Sequence, residues 1–294
     1  MMAPEPLFGI FPVPDAEQAD RVVDQVLLAD RLVLDLAGVQ DHPYQRRHLD
    51  AWTLLSYLAG RTERIRLFPD VANLPLRPPA LLAKAAASLD RLSGGRVELG
   101  LGAGAFWDAI AAWNGPKRTP KESVDALEEA IPIIRRVWAA ERGIRVEGEH
   151  YRLAGAHGGP PPAHDIGIWL GAYGPRMLRL VGRAADGWVP SLPNLPLADV
   201  PARMALIDEA AERAGRDPAR VVRLANVNGA IEDGAVTGWL HGPVEHWVEE
   251  LGGLVRDLGF NGAVLWCDHE DALGQTERFA REVVPRVRAG LEGG

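Results

Sequence analysis

Eight times along this chain a short apolar run suited to a buried strand gives way to a longer stretch with helical spacing. The strand candidates are "LFGIF" (7–11), "LVLDLAGV" (32–39), "RIRLFPDV" (64–71), "RVELGLGAG" (96–104), "IGIWLGA" (166–172), "DGWVPSL" (186–192), "VVRLANVNGA" (221–230) and "GAVLWC" (262–267). Helical stretches follow them at 15–30, 49–62, 79–91, 121–140, from Pro175, and over 199–214, 243–258 and 271–289. In the first, Ala16, Ala19, Val22, Val23, Val26 and Leu27 recur at helical spacing behind Asp15 as N-cap, and Pro79 suits the first turn of the third. Near-continuous apolar strands alternating with helices imply a parallel sheet covered on its outer face. Eight such units predict an α/β fold closed as a (β/α)8 TIM barrel. The "IRVEGEHYRL" piece and the Gly/Pro-rich "AGAHGGPPPAHD" form an insertion around 141–165. An open doubly wound sheet is the alternative. Nothing in the connector's composition demands a boundary, so residues 1–294 are read as one domain.

Composition narrows the function classes. Net charge is −8, from 32 basic against 40 acidic residues, and the basic ones form no stripe, which argues against nucleic acid or an anionic membrane as partner. A single cysteine, Cys267, excludes a disulfide framework and a thiolate metal cluster. No run reaches the roughly 20 apolar residues of a membrane span. The opening "MMAPEPLFGIFPVPD" lacks the basic and apolar regions of an export signal, so a cytoplasmic location is expected.

Barrel active sites form at the C-terminal ends of the strands. The residues there are Gln40, Asp41, His42 and Tyr44 after strand 2; Asp70, Val71, Ala72 and Asn73 after strand 3; and Gly100, Gly102, Gly104, Phe106, Trp107 and Asp108 around the end of strand 4. Strand 5 leads into "GAYGPRM" (171–177), strand 7 ends near Asn226 and Asn228, and strand 8 ends in Trp266, Cys267, Asp268 and His269. "GAYGPRM" reads as a glycine turn into a helix opened by Pro175, whose free N–H groups suit a phosphate, with Arg176 adding charge; a plain tight β–α turn fits equally. "ELGLGAG" is glycine-dense without being a dinucleotide fingerprint, and close strand packing is the simpler reading. The proline and acid of "FPDV" argue for a bulge. An imidazole at a barrel mouth is well matched to proton transfer near neutral pH, although "DHP" alone also reads as a polar turn. His241, His246 and His269 show no metal-ligand spacing, and no serine sits in a nucleophile elbow.

The stretch "LLAKAAASLDRLSGGRVELGLGAGAFWDAIAAW" (81–113) resembles the luciferase-like flavin-dependent oxidoreductases, as do "TERIRL" (62–67), "IWLGAYGPRMLRLVGRAADGWVP" (168–190) and "HGPVEHWVEEL" (241–251). Asp41–His42, "PDVAN" (69–73) and "GAYGPRM" are most similar to the branch using the deazaflavin coenzyme F420, which includes methylenetetrahydromethanopterin reductase and F420-dependent glucose-6-phosphate dehydrogenase.

The resemblance implies the same barrel with an insertion, and hydride transfer between the deazaflavin C5 and a small organic substrate. It implies that Asp41 contacts the coenzyme and that His42 is the candidate acid/base. It also implies a non-prolyl cis peptide at Asp70–Val71 backing the ring, with Asn73, Gly104 and Asp108 as further contacts, and a phosphate held by Tyr173, Gly174, Arg176 and Met177. One departure counts: the sugar-phosphate dehydrogenases carry a glutamate where Ala105 stands, so that proton donor is missing and a sugar phosphate substrate fits less well. Phe106, Trp107 and Trp113 suggest an apolar surface for the substrate. The alternatives are an FMN-dependent monooxygenase served by a partner flavin reductase, and a non-catalytic ligand-binding barrel. A homodimer is expected from the family, and no metal.

Overall fold

Apolar runs become strands here because both of their faces are covered. The computed structural model describes residues 5–267 and 269–292; Asp268, one of the strand-end residues above, lies outside them. The strands are β1 (Leu7–Ile10), β2 (Leu36–Val39), β3 (Arg66–Pro69), β4 (Leu99–Gly102), β5 (Ile168–Leu170), β6 (Gly187–Trp188), β7 (Ala225–Ile231) and β8 (Gly262–Cys267). Every residue of β2, β4 and β5 is buried, as a strand with a packed lumen on one face and helices on the other requires.

Neighbouring strands run parallel, and β8 pairs with β1 through Leu7 and Gly262. The ring is completed by parallel bridges between Leu67 and Val97 and between Ser191 and Asn226. Past β3 the chain rejoins its neighbour at Ala72–Asn73, which pair with Leu101 and Gly102. The fold is thus the (β/α)8 barrel expected from the alternation. Phe11, Leu36, Phe68, Trp169, Val189, Leu224 and Val264 pack together as one cluster, with Phe68 and Trp169 edge to face at 5.2 Å. This cluster fills the lumen, so the barrel is a packed core and not a pore.

The helices are α1 (Ala19–Arg31), α2 (Ala51–Ala59), α3 (Pro79–Ser93), α4 (Trp107–Ala112), α5 (Pro120–Trp138), α6 (Pro175–Ala184), α7 (Val200–Arg213), α8 (Val244–Arg256), α9 (Ala272–Arg278) and α10 (Val284–Glu292). Their ends follow local chemistry. Asp50 caps α2 by accepting from the Thr53 amide at 2.9 Å, α3 stops at Gly94 with φ of 74°, and Thr119 and Glu122 close a capping box on α5. The closing helix expected at 271–289 is interrupted by a π-turn at Phe279–Val283, and α4 is a short addition that the sequence pattern did not signal.

The insertion carries an antiparallel hairpin, Ile144–Glu147 with Arg152–Ala156. Glu129 of α5 accepts backbone N–H groups of Glu149, His150 and Tyr151, which pins the hairpin turn to the barrel wall. Among the described residues no helix is long and apolar enough to cross a membrane.

Candidate active site

A cavity of about 950 Å³ opens at the C-terminal ends of the strands. All eight strands reach it: Phe11 past β1, Asp41 past β2, Asp70 past β3, Gly102 on β4, Gly171 past β5, Val189 past β6, Asn226 on β7 and Trp266 on β8. Of the site residues picked from the sequence, His42, Asp41, Asp70, Val71, Asn73, Gly104, Tyr173, Gly174, Arg176 and Met177 line this cavity. Asp108 does not. It lies in the first turn of α4, its side chain turned to solvent and paired with Lys117 at 2.6 Å.

Asp41 is committed within the protein. Its side chain is wholly buried and receives Arg77 Nε at 2.6 Å, Arg77 Nη2 at 2.8 Å and the Asn73 backbone N–H at 3.0 Å. Arg77 also reaches Asp50 at 2.6 Å, so one guanidinium ties the end of β2 and the cap of α2 to the loop after β3. Burial opposes the charge on Arg77, but the bonds to Asp41 and Asp50 outweigh it and raise its pKa. Burial likewise works to raise Asp50, and the Arg77 and Thr53 bonds prevail, holding its carboxyl below the usual range. Sequence reasoning passed over Arg77, because nothing local marks an arginine 36 positions from its partner.

Next to this network, His42 Nδ1 lies 2.7 Å from the Tyr44 hydroxyl. Burial, and the Asp41 charge behind it, push the phenol up to about 12, against the Asn73 amide. Burial also pushes His42 below the usual imidazole value, with His48 adding to the effect and Asp41 opposing it. Burial thus favours the neutral form of both groups, which share one hydrogen bond between Nδ1 and the phenol oxygen. Phe106 meets the His42 ring edge-on at 5.7 Å.

The floor is the bulge that "FPDV" predicted. The Asp70–Val71 peptide is cis, as the family resemblance implies. Val71 occupies space that three glycines leave open. A Cβ on Gly100, Gly102 or Gly171 would sit 3.2, 2.7 or 3.4 Å from its methyl groups, so the glycine series of β4 serves close packing beneath the cavity. Gly104 has φ of 100°, a backbone region that side chains with a Cβ rarely enter. Asp70 is 7% exposed, and burial pushes it up to about 7, with the Asn226 amide pulling weakly the other way. Its Oδ2, together with Oδ1 of Asn73 and Oδ1 of Asn226, is buried without a hydrogen-bond partner among the described residues. Three such atoms around one cavity mark a surface made to bond a ligand.

On the opposite side stands the N-terminus of α6. Gly174 is its N-cap and no side chain caps it, while Pro175 at the first position has no N–H to satisfy. The turn thus presents the amides of Arg176 and Met177 and the positive end of the helix dipole, which suits an anion. The Arg176 guanidinium does not join them: it is turned to Asp125 at 2.5 Å and Glu128 at 3.0 Å on α5. Lys121, at the start of α5, lines the same side. Tyr173 is fixed by its hydroxyl, which accepts the Ser191 N–H at 2.9 Å. The apolar wall combines Phe106 with Phe11 and Trp266, the last two 5.8 Å apart. Trp113 is instead exposed away from the cavity, and the Trp107 ring packs against Gly104. Among the described residues no group of His, Cys, Asp and Glu could hold a metal. The arrangement suits a flat ring with polar edges laid on the bulge, with its phosphate at α6.

Comparison with known proteins bears on the family and the fold. A family model described as luciferase-like monooxygenase matches residues 7–235. The chain is 28% identical to an F420-dependent glucose-6-phosphate dehydrogenase of Intrasporangium calvum over 91% of its own length and 94% of that protein's. It is 32% identical to a phthiodiolone/phenolphthiodiolone dimycocerosates ketoreductase of Mycobacterium kansasii over 81% of its length, spanning 63% of that protein. Its fold superposes on an F420-dependent secondary alcohol dehydrogenase, solved with an F420–acetone adduct, with a TM-score of 0.85, 17% identity, and coverage of 96% of this chain and 99% of that one.

Proposed function

The chain belongs to the luciferase-like monooxygenase family, and from that premise we propose that it is a coenzyme F420-dependent oxidoreductase. It moves a hydride between the coenzyme and a small organic substrate that rests against Phe11, Phe106 and Trp266. One observation carries the reading: a single cavity joins a floor of unpartnered buried polar atoms to an uncapped helix N-terminus. That pairing fits a ring and a phosphate held together. The F420-dependent relative that matches over almost its whole length supports the choice of coenzyme.

The residues divide the work by position. When bound, the coenzyme supplies the hydride chemistry at its C5. The Asp70–Asn73 bulge supports the ring, and Gly174, Arg176 and Met177 offer backbone amides and the helix dipole to the phosphate. Asp41 acts one step back, holding the bulge through the Asn73 N–H and Arg77. His42 is the proton-transfer residue, oriented by Tyr44, and the chain has no acid at Ala105 to share that task. Asp108, bound to Lys117, is left out of the set.

The family's name favours one rival, an FMN-dependent monooxygenase. Titration of the purified protein with F420 and with FMN separates the two. Saturable F420 binding with weak FMN binding supports the proposal; tight FMN binding with oxygen consumption overturns it.

A further inference from the structure

Two buried carboxyls line this cavity and are treated in opposite ways. Asp41 has three donors, two of them from the Arg77 cation. Asp70, buried at 7% exposure, has no ion pair among the described residues; the Asn226 amide acts on it, but no hydrogen bond reaches its Oδ2. A buried carboxylate without a cation costs several kcal/mol, and proteins meet that cost by leaving the group protonated. Gly38, with no side chain, leaves room for this carboxyl: a Cβ there would come within 3.0 Å of Asp70 Oδ2.

We propose that Asp70 works as a neutral carboxylic acid on the cavity floor, donating a hydrogen bond to an acceptor oxygen or nitrogen on the flat ring that binds there. The inference rests on the coenzyme reading for the identity of the ring, and on the geometry of the floor for the state of the carboxyl. Among the described residues, the other titratable or charged side chains lining the cavity are Asp41, His42, Tyr44, Lys121, Tyr173 and Arg176. Asp41 is held by Arg77, His42 and Tyr44 are paired with each other, and Lys121 and Arg176 are engaged with Asp125. Tyr173 is bonded to the Ser191 backbone, so each of these groups has its partner elsewhere. The raised pKa of Asp70 agrees with this isolation. A ring laid on the floor removes what water still touches the group and so favours the neutral form further.

The test is a fluorescence titration of F420 between pH 5.5 and 8.5 against the wild type, Asp70→Asn and Asp70→Ala. Asparagine keeps a donor and cannot ionise. We expect Asp70→Asn to bind F420 within about threefold of the wild type at pH 6 and Asp70→Ala about tenfold more weakly, the worth of one hydrogen bond. Above pH 7 the wild type should weaken toward tenfold per pH unit relative to Asp70→Asn. Titration of the coenzyme itself is common to both proteins and cancels in that ratio. Wild-type binding that tightens relative to Asp70→Asn as pH rises, or loss of binding by Asp70→Asn at pH 6, overturns the proposal.

If F420 binds to none of the three, the coenzyme reading fails and the state of Asp70 is read from the ligand-free protein. A carboxyl whose folded pKa is raised stabilises the fold fully below its unfolded value, and this is lost as pH rises through about 7. The Tm of Asp70→Asn should therefore gain on the wild type between pH 5.5 and 8.5. A constant difference means an ionised Asp70 throughout and refutes the neutral acid.

Discussion

Replacing Arg77 with methionine should unfold the site before it touches any chemistry. Methionine keeps much of the aliphatic stem and removes the guanidinium. Asp41, whose side chain is 0% exposed, then loses bonds of 2.6 and 2.8 Å together with the cation that pairs with it. Arg77 is itself only 22% exposed, so solvent screening discounts the pair little. Removing one partner of a buried ion pair costs about 3–5 kcal/mol, because the other charge stays behind unpaired. An exposed pair is worth about 0–1 kcal/mol. The structure thus commits to the larger figure, to be read as a shift in the urea midpoint at pH 8 with an unchanged m-value. Protonation relieves an unpaired buried carboxylate, so the loss should be smaller at pH 5 than at pH 8. Asp41→Asn combined with Arg77→Met should be milder than Arg77→Met alone. Lys117→Met, which breaks the solvent-exposed pair with Asp108, serves as control and should leave the midpoint unmoved. A loss below about 1 kcal/mol at pH 8, or one independent of pH, would refute the reading of Asp41 as a buried charge that depends on Arg77.

His42→Ala should leave F420 affinity largely intact and slow turnover by about 10²–10⁴, whereas unchanged turnover would demote the imidazole to a ring contact. Gly174 has extended φ and ψ of −77° and 152°, and an added Cβ finds open space, so Gly174→Asp can cap α6. It should raise stability by about 0.3–1 kcal/mol and weaken F420 binding at least tenfold; affinity that holds would remove the anion site from α6. Burial depresses both His42 and His48. The unfolded chain therefore binds protons that the native state refuses, and stability falls as pH drops below about 6.5. His42→Gln should flatten that acid limb in thermal melts, and an unchanged limb would place the protons elsewhere.

The barrel was legible because buried strands and amphipathic helices differ in period, and because strand ends locate the mouth before any coordinate is known. The bulge could be read from Pro69 and Asp70, which do not belong inside a regular strand. What periodicity could not supply was the partner of each charge. Asp41 and Arg176 stand where a ligand would be met, yet Arg77, Asp125 and Glu128 claim them through contacts spanning dozens of residues. Of the three aromatics expected at the mouth, Phe106 lines the cavity and two miss it for a related reason. Trp107 and Trp113 follow β4 in sequence, but the short α4 carries them past the mouth, while Phe11 arrives from the far end of the chain. The glycines of β4 could be placed but not explained until Val71 was seen to fill the space they leave.

The join between β3 and β4 has a consequence of plain arithmetic. Leu67 faces Val97 and Ala72 faces Leu101, so five steps on one strand span four on the other (72 − 67 against 101 − 97). The surplus residue has nowhere to go in a parallel ladder, and the loop it forms is the floor of the site. The capacity to bind thus depends on chain length at one place as much as on side-chain identity. Deleting a single residue among 68–71 would let the two strands pair without interruption. The barrel would close more regularly, and it would have lost the surface on which a ligand rests.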